Sequence, residues 1–141
     1  MKYIKPLFLA IIVSFSIGSC KNQTSVNEHA QVNSNGEDIQ VYYFHFSTRC
    51  ATCNAVENET KLALETYFPD HLSNGTLEFA SYNMDEEDGE TLAKSLHVSS
   101  QTLLLVQGEY RLDLTKEGFM NARTNPDRFR EIIKTTIDKL L

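Results

Sequence analysis

The chain has 141 residues, and its 13 lysines and arginines against 19 aspartates and glutamates give a net charge of −6 at pH 7. A protein that binds the phosphate backbone of nucleic acid needs a basic patch, and this sequence has neither a basic cluster nor aromatic residues interleaved with basic ones. The composition therefore argues against nucleic acid as a partner. The sequence contains 3 cysteines and no tryptophan.

Residues 1–19 have the features of a secretory signal peptide. A positively charged start precedes residues 7–17, a mainly apolar run that is too short to span a bilayer as a stable helix. The run ends in the letters IGSC, which resemble the lipobox of bacterial lipoproteins, so we expect cleavage before Cys20 and lipidation of its thiol. The alternative is an ordinary signal peptide cut near Ser19, which would leave Cys20 as a free thiol.

Residues 20–38 are polar, rich in Asn, Ser and Gln, and nearly free of large apolar side chains. This composition is typical of a flexible tether. Acyl chains on Cys20 would hold a tethered domain at a membrane surface. We therefore expect a lipid-anchored protein of the cell envelope that faces the periplasm. Lys21 is not the acidic residue often linked to inner-membrane retention, which slightly favours the outer membrane.

Residues 39–141 remain for the folded part, a length that suits one domain with a modest core. Residues 39–47 (IQVYYFHFS) are β-branched or aromatic at both alternating positions, which predicts a strand covered on both faces of its sheet. Residues 54–68 carry apolar side chains at helical spacing, and residues 76–83 predict a second strand. Between them, residues 69–75 contain Pro, Asn and Gly and predict a loop.

Four consecutive carboxylates at residues 85–88 precede a predicted helix that runs to about residue 96. A metal site or a general acid is one interpretation of this cluster. We favour the other, because carboxylates at a helix N-terminus stabilise its dipole. Residues 102–106 (TLLLV) predict a buried strand, and Gly108 turns it into a hairpin partner with edge character at residues 110–115.

The last predicted helix begins at Asn125, which serves as its N-cap, with Pro126 at the first helical position. The side chains expected to face the core from this helix are Phe129, Ile132, Ile133, Thr136, Ile137 and Leu140. The predicted order of elements in the domain is therefore β-α-β-α-β-β-α.

Cys50 and Cys53 are separated by two residues at the start of the first predicted helix. A thiol in the first turn of a helix faces unpaired backbone N–H groups and the positive end of the dipole, which favour its thiolate. Arg49 adds a positive charge. The spacing puts both sulfurs on one face, close enough for a disulfide. Lipidation of Cys20 would leave these two cysteines as a pair, and beyond the cytoplasm that pair can persist as a disulfide.

The strand before the cysteine pair, the segment 79–85 and the segment 101–109 (QTLLLVQGE) together resemble a thioredoxin-fold protein. The last segment resembles the proline-threonine strand and glycine hairpin of thioredoxins, and the similarity covers nearly all of residues 39–141. It implies a thioredoxin-like α/β three-layer sandwich, in which a mixed central sheet has helices on both faces. It places the cysteine pair at the C-terminal edge of the central strand and implies no cofactor.

The same resemblance implies a thiol-disulfide oxidoreductase. Cys50 would attack a partner disulfide as the thiolate, and Cys53 would resolve the mixed disulfide. The expected partners are disulfides or thiols of exported proteins, or a membrane electron carrier, and we expect the protein to act as a monomer. The Ala-Thr dipeptide between the cysteines leaves the direction of electron flow open.

Three positions depart from the thioredoxin pattern. Gln101 replaces the cis-proline before Thr102, so that either a non-proline cis bond costing about 3 kcal/mol is kept or the loop is rebuilt. Arg49 replaces the tryptophan that commonly precedes the first cysteine. Phe44 occupies the place of the buried acid, which makes His45 the nearest candidate for a base. The alternative for His45 is a core histidine hydrogen-bonded to backbone.

Two further functions remain open at this point. Two adjacent thiolates suit a soft metal or metalloid such as Cu(I), Zn(II) or trivalent arsenic. The domain can also be a binding module with a structural or idle disulfide, because a fold alone does not establish an activity.

Overall fold

The computed structural model describes residues 38–141, so the predicted signal peptide, Cys20 and all but the last residue of the predicted tether lie outside the described residues. The strands are β1 (Ile39–His45), β2 (Leu77–Asn83), β3 (Thr102–Gln107) and β4 (Tyr110–Asp113). The helices are α1 (Ala51–Tyr67), α2 (Pro69–Asn74), α3 (Glu87–Ser95), α4 (Thr115–Asn121) and α5 (Pro126–Ile137). In this part of the chain, no helix is long and apolar enough to cross a membrane.

The strands form a mixed sheet in the order β2-β1-β3-β4. β1 pairs parallel with β2 and antiparallel with β3, while β4 pairs antiparallel with β3 at the edge. Gly108 has a φ of 55°, a left-handed conformation, in the two-residue turn between β3 and β4. The predicted mixed sheet and its hairpin are therefore confirmed.

The side chains of β1 alternate between two apolar layers, as the pleat of a strand requires. Val41 and Tyr43 face the layer that α1 and α5 cover, whereas Tyr42 and Phe44 face the layer that α3 covers. All four residues are at most 4% exposed. Helices therefore cover both faces of the sheet, which confirms the predicted three-layer α/β sandwich with a mixed sheet and β1 in its interior.

α5 begins as predicted, because the side chain of Asn125 accepts a hydrogen bond from the backbone N–H of Arg128 and proline occupies the first turn. The residues of α5 that are fully buried are Phe129, Ile133 and Ile137. Leu140 lies beyond the end of the helix but still packs against the same core.

Two predicted segments differ from the structure. The predicted loop at residues 69–75 contains α2, a helix of 6 residues that is too short for a helical period to appear in the sequence. The predicted strand at residues 110–115 ends at Asp113, because the carboxylate of Asp113 accepts a hydrogen bond from the Thr115 N–H over 2.7 Å. Thr115 then begins α4, which the sequence did not indicate.

Three loops meet at the sheet edge where β1 and β2 end. Because β1 and β2 are parallel, the loop before Cys50 and the loop after Asn83 leave the sheet at the same edge. β3 runs antiparallel to β1 and begins there, with Thr102 opposite Phe44. The cysteine pair therefore lies at the C-terminal edge of the central strand, as predicted.

Gly89 allows α3 to approach the end of β2 closely. A Cβ atom at this position would lie 2.0 Å from the carbonyl oxygen of Asn83. No other residue fits there without moving the helix or the strand, because real Cβ atoms do not approach a backbone oxygen so closely. Gly89 thus fixes the start of α3 beside the loops that surround the cysteines.

Candidate active site

Cys50 and Cys53 form a disulfide at the start of α1. Cys50 is the N-cap residue of α1, and the Cα atoms of the two cysteines are 5.1 Å apart. The backbone N–H of Cys53 donates a hydrogen bond to Sγ of Cys50 over 3.1 Å. The Cys50 sulfur thus takes the part that a side-chain oxygen usually takes at a helix N-cap. Negative charge on this sulfur after reduction would lie at the positive end of the helix dipole.

The two sulfurs differ in their access to solvent. Cys50 is exposed, whereas Cys53 is only 4% exposed and belongs to the apolar interior. A partner molecule can therefore reach Cys50 directly, with Cys53 behind it. The predicted roles of a nucleophile and a resolving cysteine need this arrangement.

Gln101 contacts the buried cysteine, as its predicted supporting role requires. Its Oε1 lies 3.3 Å from Sγ of Cys53, and its Nε2 donates a hydrogen bond to the hydroxyl of Tyr43 over 2.6 Å. The Tyr43 hydroxyl donates in turn to the backbone carbonyl of Cys53 over 2.9 Å. These three contacts form a closed ring that joins the loop before β3, the middle of β1 and the first turn of α1.

The loop that carries Gln101 is rebuilt relative to the thioredoxin pattern. Every peptide bond in residues 38–141 is trans, which removes the alternative of a non-proline cis bond at this place. The hydroxyl of Thr102, a second predicted supporting residue, donates a hydrogen bond to the carbonyl of Ser100 over 2.9 Å. Side-chain hydrogen bonds therefore hold this loop, at the position where the thioredoxin pattern predicts proline.

Arg49 lies next to the pair, and its charge is engaged by a carboxylate. Its Nη2 lies 2.5 Å from Oε2 of Glu57, and its guanidinium group lies over the ring of Tyr43 at 5.5 Å from the ring centroid. Glu57 also accepts a hydrogen bond from Lys61 over 2.6 Å. Arg49 thus covers Tyr43 and connects the loop before Cys50 to the second turn of α1.

Glu57 and Tyr43 are the buried titratable groups beside the pair. Burial raises the pKa of Glu57, but hydrogen bonds and charges from Lys61 and Arg49 outweigh it and hold the pKa below its ordinary value of 4.5. Burial raises the pKa of Tyr43 above its ordinary value of 10.0, against the opposing hydrogen bonds of Gln101 and Arg49. At neutral pH, Glu57 is therefore ionised and Tyr43 is neutral.

Phe44 lies on the other face of the sheet from this cluster. It is fully buried and packs in the layer that α3 covers. The polar group that β1 presents to Cys53 is the hydroxyl of Tyr43, one residue earlier. His45 lies at the end of β1, with Nδ1 3.0 Å from the carbonyl oxygen of Phe46 and its ring 6.0 Å from that of Tyr43. A role for His45 as a base stays a prediction.

Sequence reasoning missed Tyr43 and Glu57. A signal for Glu57 exists, because it is a charged residue one position after the buried Val56 and four positions after Cys53, on the helix face that faces the core. No comparable signal exists for Tyr43. It adjoins Tyr42 in an apolar run, and only the register of β1 decides which of the two hydroxyls faces α1.

The loop between β1 and Cys50 is fixed to the turn between β2 and α3. The carboxylate of Asp85 accepts a hydrogen bond from the Ser47 N–H over 2.7 Å, and the amide of Asn83 donates to the Ser47 hydroxyl over 3.0 Å. The hydrogen bonds from Ser47 hold the pKa of Asp85 below its ordinary value of 3.8. Asp85, the first residue of the acidic cluster, therefore stabilises the loop that leads to Cys50.

Within residues 38–141, no three His, Cys, Asp or Glu side chains are grouped as metal ligands.

No protein-family profile and no curated protein sequence matches the chain. Among solved structures, the germline-specific thioredoxin protein Deadhead of Drosophila melanogaster is 18% identical over 74% of this chain and 83% of that chain, with a TM-score of 0.48. Thioredoxin O2 of Arabidopsis thaliana in the oxidized state is 17% identical over 71% and 76%, with a TM-score of 0.46. A malarial protein is 21% identical over 53% and 75%, with a TM-score of 0.40.

Proposed function

We propose that the protein is a thiol-disulfide oxidoreductase whose reactive group is the pair Cys50 and Cys53. The observation that carries the proposal is the disulfide at the start of α1, with one sulfur exposed and the other buried. A structural role explains this bond poorly. It joins residues only 3 positions apart, and a disulfide that closes so short a loop constrains the unfolded chain little.

In the reducing direction, the Cys50 thiolate attacks one sulfur of a partner disulfide, and the released partner sulfur takes up a proton. Cys53 then loses its proton and attacks the sulfur of Cys50, which forms the observed disulfide and releases the second partner sulfur as a thiol. Two electrons and two protons pass from the dithiol to the partner. The reverse sequence oxidises a partner dithiol and leaves Cys50 and Cys53 reduced.

The experiment that tests this function is a trapping experiment in the native cell. A Cys53→Ser variant retains the attacking thiol but lacks the resolving one, so we expect mixed disulfides through Cys50, visible as high-mass bands that disappear on reduction. The matched control is the variant with both cysteines replaced by serine, which should form none. If no such bands appear and the purified wild-type protein does not reduce insulin, the proposed function is wrong.

We further propose that the protein acts in the cell envelope, anchored through lipid on Cys20. The signal-like residues 1–19 and the polar residues 20–38 support this location, and an exported setting would allow the disulfide to persist. Its partners would be disulfides or thiols of exported proteins, or a membrane electron carrier. Labelled palmitate should enter the wild-type protein but not a Cys20→Ser variant, and an unlabelled wild-type protein would contradict the anchor.

A further inference from the structure

The contacts of Tyr43 fix the orientation of the Gln101 side-chain amide. The Tyr43 hydroxyl has a single proton, which it donates to the backbone carbonyl of Cys53 over 2.9 Å. Its oxygen has only lone pairs left, so the amide atom that lies 2.6 Å away must be the NH₂ group. The amide oxygen consequently faces Sγ of Cys53 at 3.3 Å.

The two sulfurs therefore face groups of opposite polarity. Sγ of Cys50 faces a donor, the backbone N–H of Cys53, whereas Sγ of Cys53 faces an acceptor, the amide oxygen of Gln101. In the disulfide neither sulfur carries a proton, so the contact of Cys53 with Gln101 is not a hydrogen bond. After reduction, a thiolate at Cys50 and a neutral thiol at Cys53 satisfy both neighbours, because the Cys53 S–H then donates to the amide oxygen.

We propose that Gln101 is a positioning residue that holds Cys53 as a neutral thiol in the reduced protein and thereby leaves Cys50 as the thiolate. The inference rests on the proposed oxidoreductase function and adds the group that distinguishes its two thiols. Because the hydrogen bond exists only after reduction, it stabilises the dithiol relative to the disulfide. Gln101 therefore makes the disulfide a stronger oxidant than the same pair would be without it.

The other titratable groups packed around the pair leave this role to Gln101. The carboxylate of Glu57 is engaged by both Arg49 and Lys61, and Tyr43 carries no charge at neutral pH. His45 directs Nδ1 to the Phe46 carbonyl at the end of β1. The amide oxygen is thus the acceptor that the structure places against the Cys53 sulfur.

The test uses Gln101→Met, which keeps an unbranched side chain of similar length but removes both the acceptor and the donor. The matched control is Gln107→Met, at the other end of β3, where the amide donates to the carbonyl of Leu140 over 3.1 Å. Two quantities are measured on the purified proteins: the pH at which Cys53 ionises, from the carbon chemical shifts of labelled cysteine, and the equilibrium constant with glutathione.

In Gln101→Met we expect Cys53 to ionise at a lower pH, and the equilibrium with glutathione to move toward the disulfide by about twofold to tenfold, the range for loss of one neutral hydrogen bond. Gln107→Met should match the wild-type protein in both quantities. Tyr43→Phe keeps Gln101 but removes the hydroxyl that orients its amide, so we expect shifts in the same direction and smaller. It also tests the inference if the Gln101 variant does not fold.

Wild-type values of both quantities in Gln101→Met, or in Tyr43→Phe if only that variant folds, would overturn the inference. Neither measurement needs a biological partner, so the result is separable from the proposed function. A wild-type protein that traps no partner and does not reduce insulin, but whose Cys53 responds to Gln101→Met as expected, would refute the oxidoreductase and leave the role of Gln101 at the thiol standing.

Discussion

Arg49 and Glu57 form an ion pair at 2.5 Å across the start of α1, with one partner just before Cys50 and the other four residues after Cys53. The side chains are only 23% and 10% exposed. Removing one partner of a largely buried ion pair leaves the other charge in a place that water solvates poorly. This pair therefore links the stability of the domain to the segment that carries the cysteines.

The first prediction concerns the loss of this carboxylate. Glu57→Ala should lower the free energy of unfolding by about 2 to 3 kcal/mol, because Arg49 loses its anion. Glu65→Ala is the control, an exposed glutamate on the same helix, and its effect should stay within about 0.5 kcal/mol. Urea unfolding at neutral pH measures both variants, and equal effects would show that the ion pair is not buried as described.

The second prediction is a dependence on acid. The pKa of Glu57 in the folded protein lies below its ordinary value of 4.5. The ionised carboxylate therefore contributes to the stability of the fold above pH 4.5, and this contribution is lost as the pH falls through the pKa of the folded protein. The stability difference between the wild-type protein and Glu57→Gln should therefore shrink as the pH drops below about 4.5. Unfolding curves at a series of pH values measure it, and a constant difference would contradict the lowered pKa.

The third prediction is a dependence on alkali. Burial, helped by the charges of Tyr82 and Glu78, raises the pKa of Tyr42 to about 12. The folded state thus favours the neutral phenol. Its contribution to the stability of the fold is complete below the ordinary pKa of 10.0 and is lost as the pH rises through the pKa of the folded protein. Tyr42→Phe should lose less stability than the wild-type protein between about pH 10 and 12. Identical losses in thermal unfolding would exclude Tyr42 as the cause.

The fourth prediction concerns the access of reagents to the two thiols. In the reduced protein, iodoacetamide should modify Cys50 at least about tenfold faster than Cys53, because Cys50 is exposed at a helix N-terminus and Cys53 is buried. Mass spectrometry of peptides after timed quenching gives both rates. Denatured protein is the control, in which the rates should become similar. Comparable rates in the folded protein would argue against separate roles.

The fifth prediction tests the close approach of α3 to β2. Gly89→Ala should cost more than about 2 kcal/mol, because its Cβ would meet the Asn83 carbonyl oxygen at 2.0 Å. At Gly75 a Cβ meets nothing within 4 Å, and only the positive φ of 79° opposes alanine, which should cost about 1 kcal/mol. Denaturant unfolding compares the two. A smaller loss of stability in Gly89→Ala than in Gly75→Ala would mean that α3 can move away from the end of β2 at little cost.

Long patterns in the sequence predict the framework of the domain. The apolar run of β1 identifies a strand covered on both faces, and Asn125 with Pro126 identifies the start of α5, because each signal depends only on neighbouring residues. The sequence could not reveal α2, whose 6 residues carry no period. It located Gln101 by the position that a proline takes in thioredoxins, but not its hydrogen bond to Tyr43, which spans 58 positions.

Phe44 and Tyr43 show why the sequence alone does not identify which residue of β1 faces Cys53. Counting six residues back from Cys50 gives Phe44, but the length of the loop after β1 decides which residue faces α1. An error of one residue moves a side chain to the opposite face of the sheet. The sequence therefore does not identify Tyr43 as the polar neighbour of Cys53 on β1, and the role of His45 stays a prediction.

The hydrogen bonds from Ser47 to Asp85 and Asn83 have a consequence for the kinetics of recognition. They restrict the loop that leads to Cys50 before any partner arrives. The entropic cost of ordering this loop is therefore incurred when the protein folds and not when a partner binds. A partner disulfide of the proposed reaction would meet a preorganised surface. Partners should then be selected by how well their own shape fits it, and complex formation should proceed close to the rate of rigid-body docking.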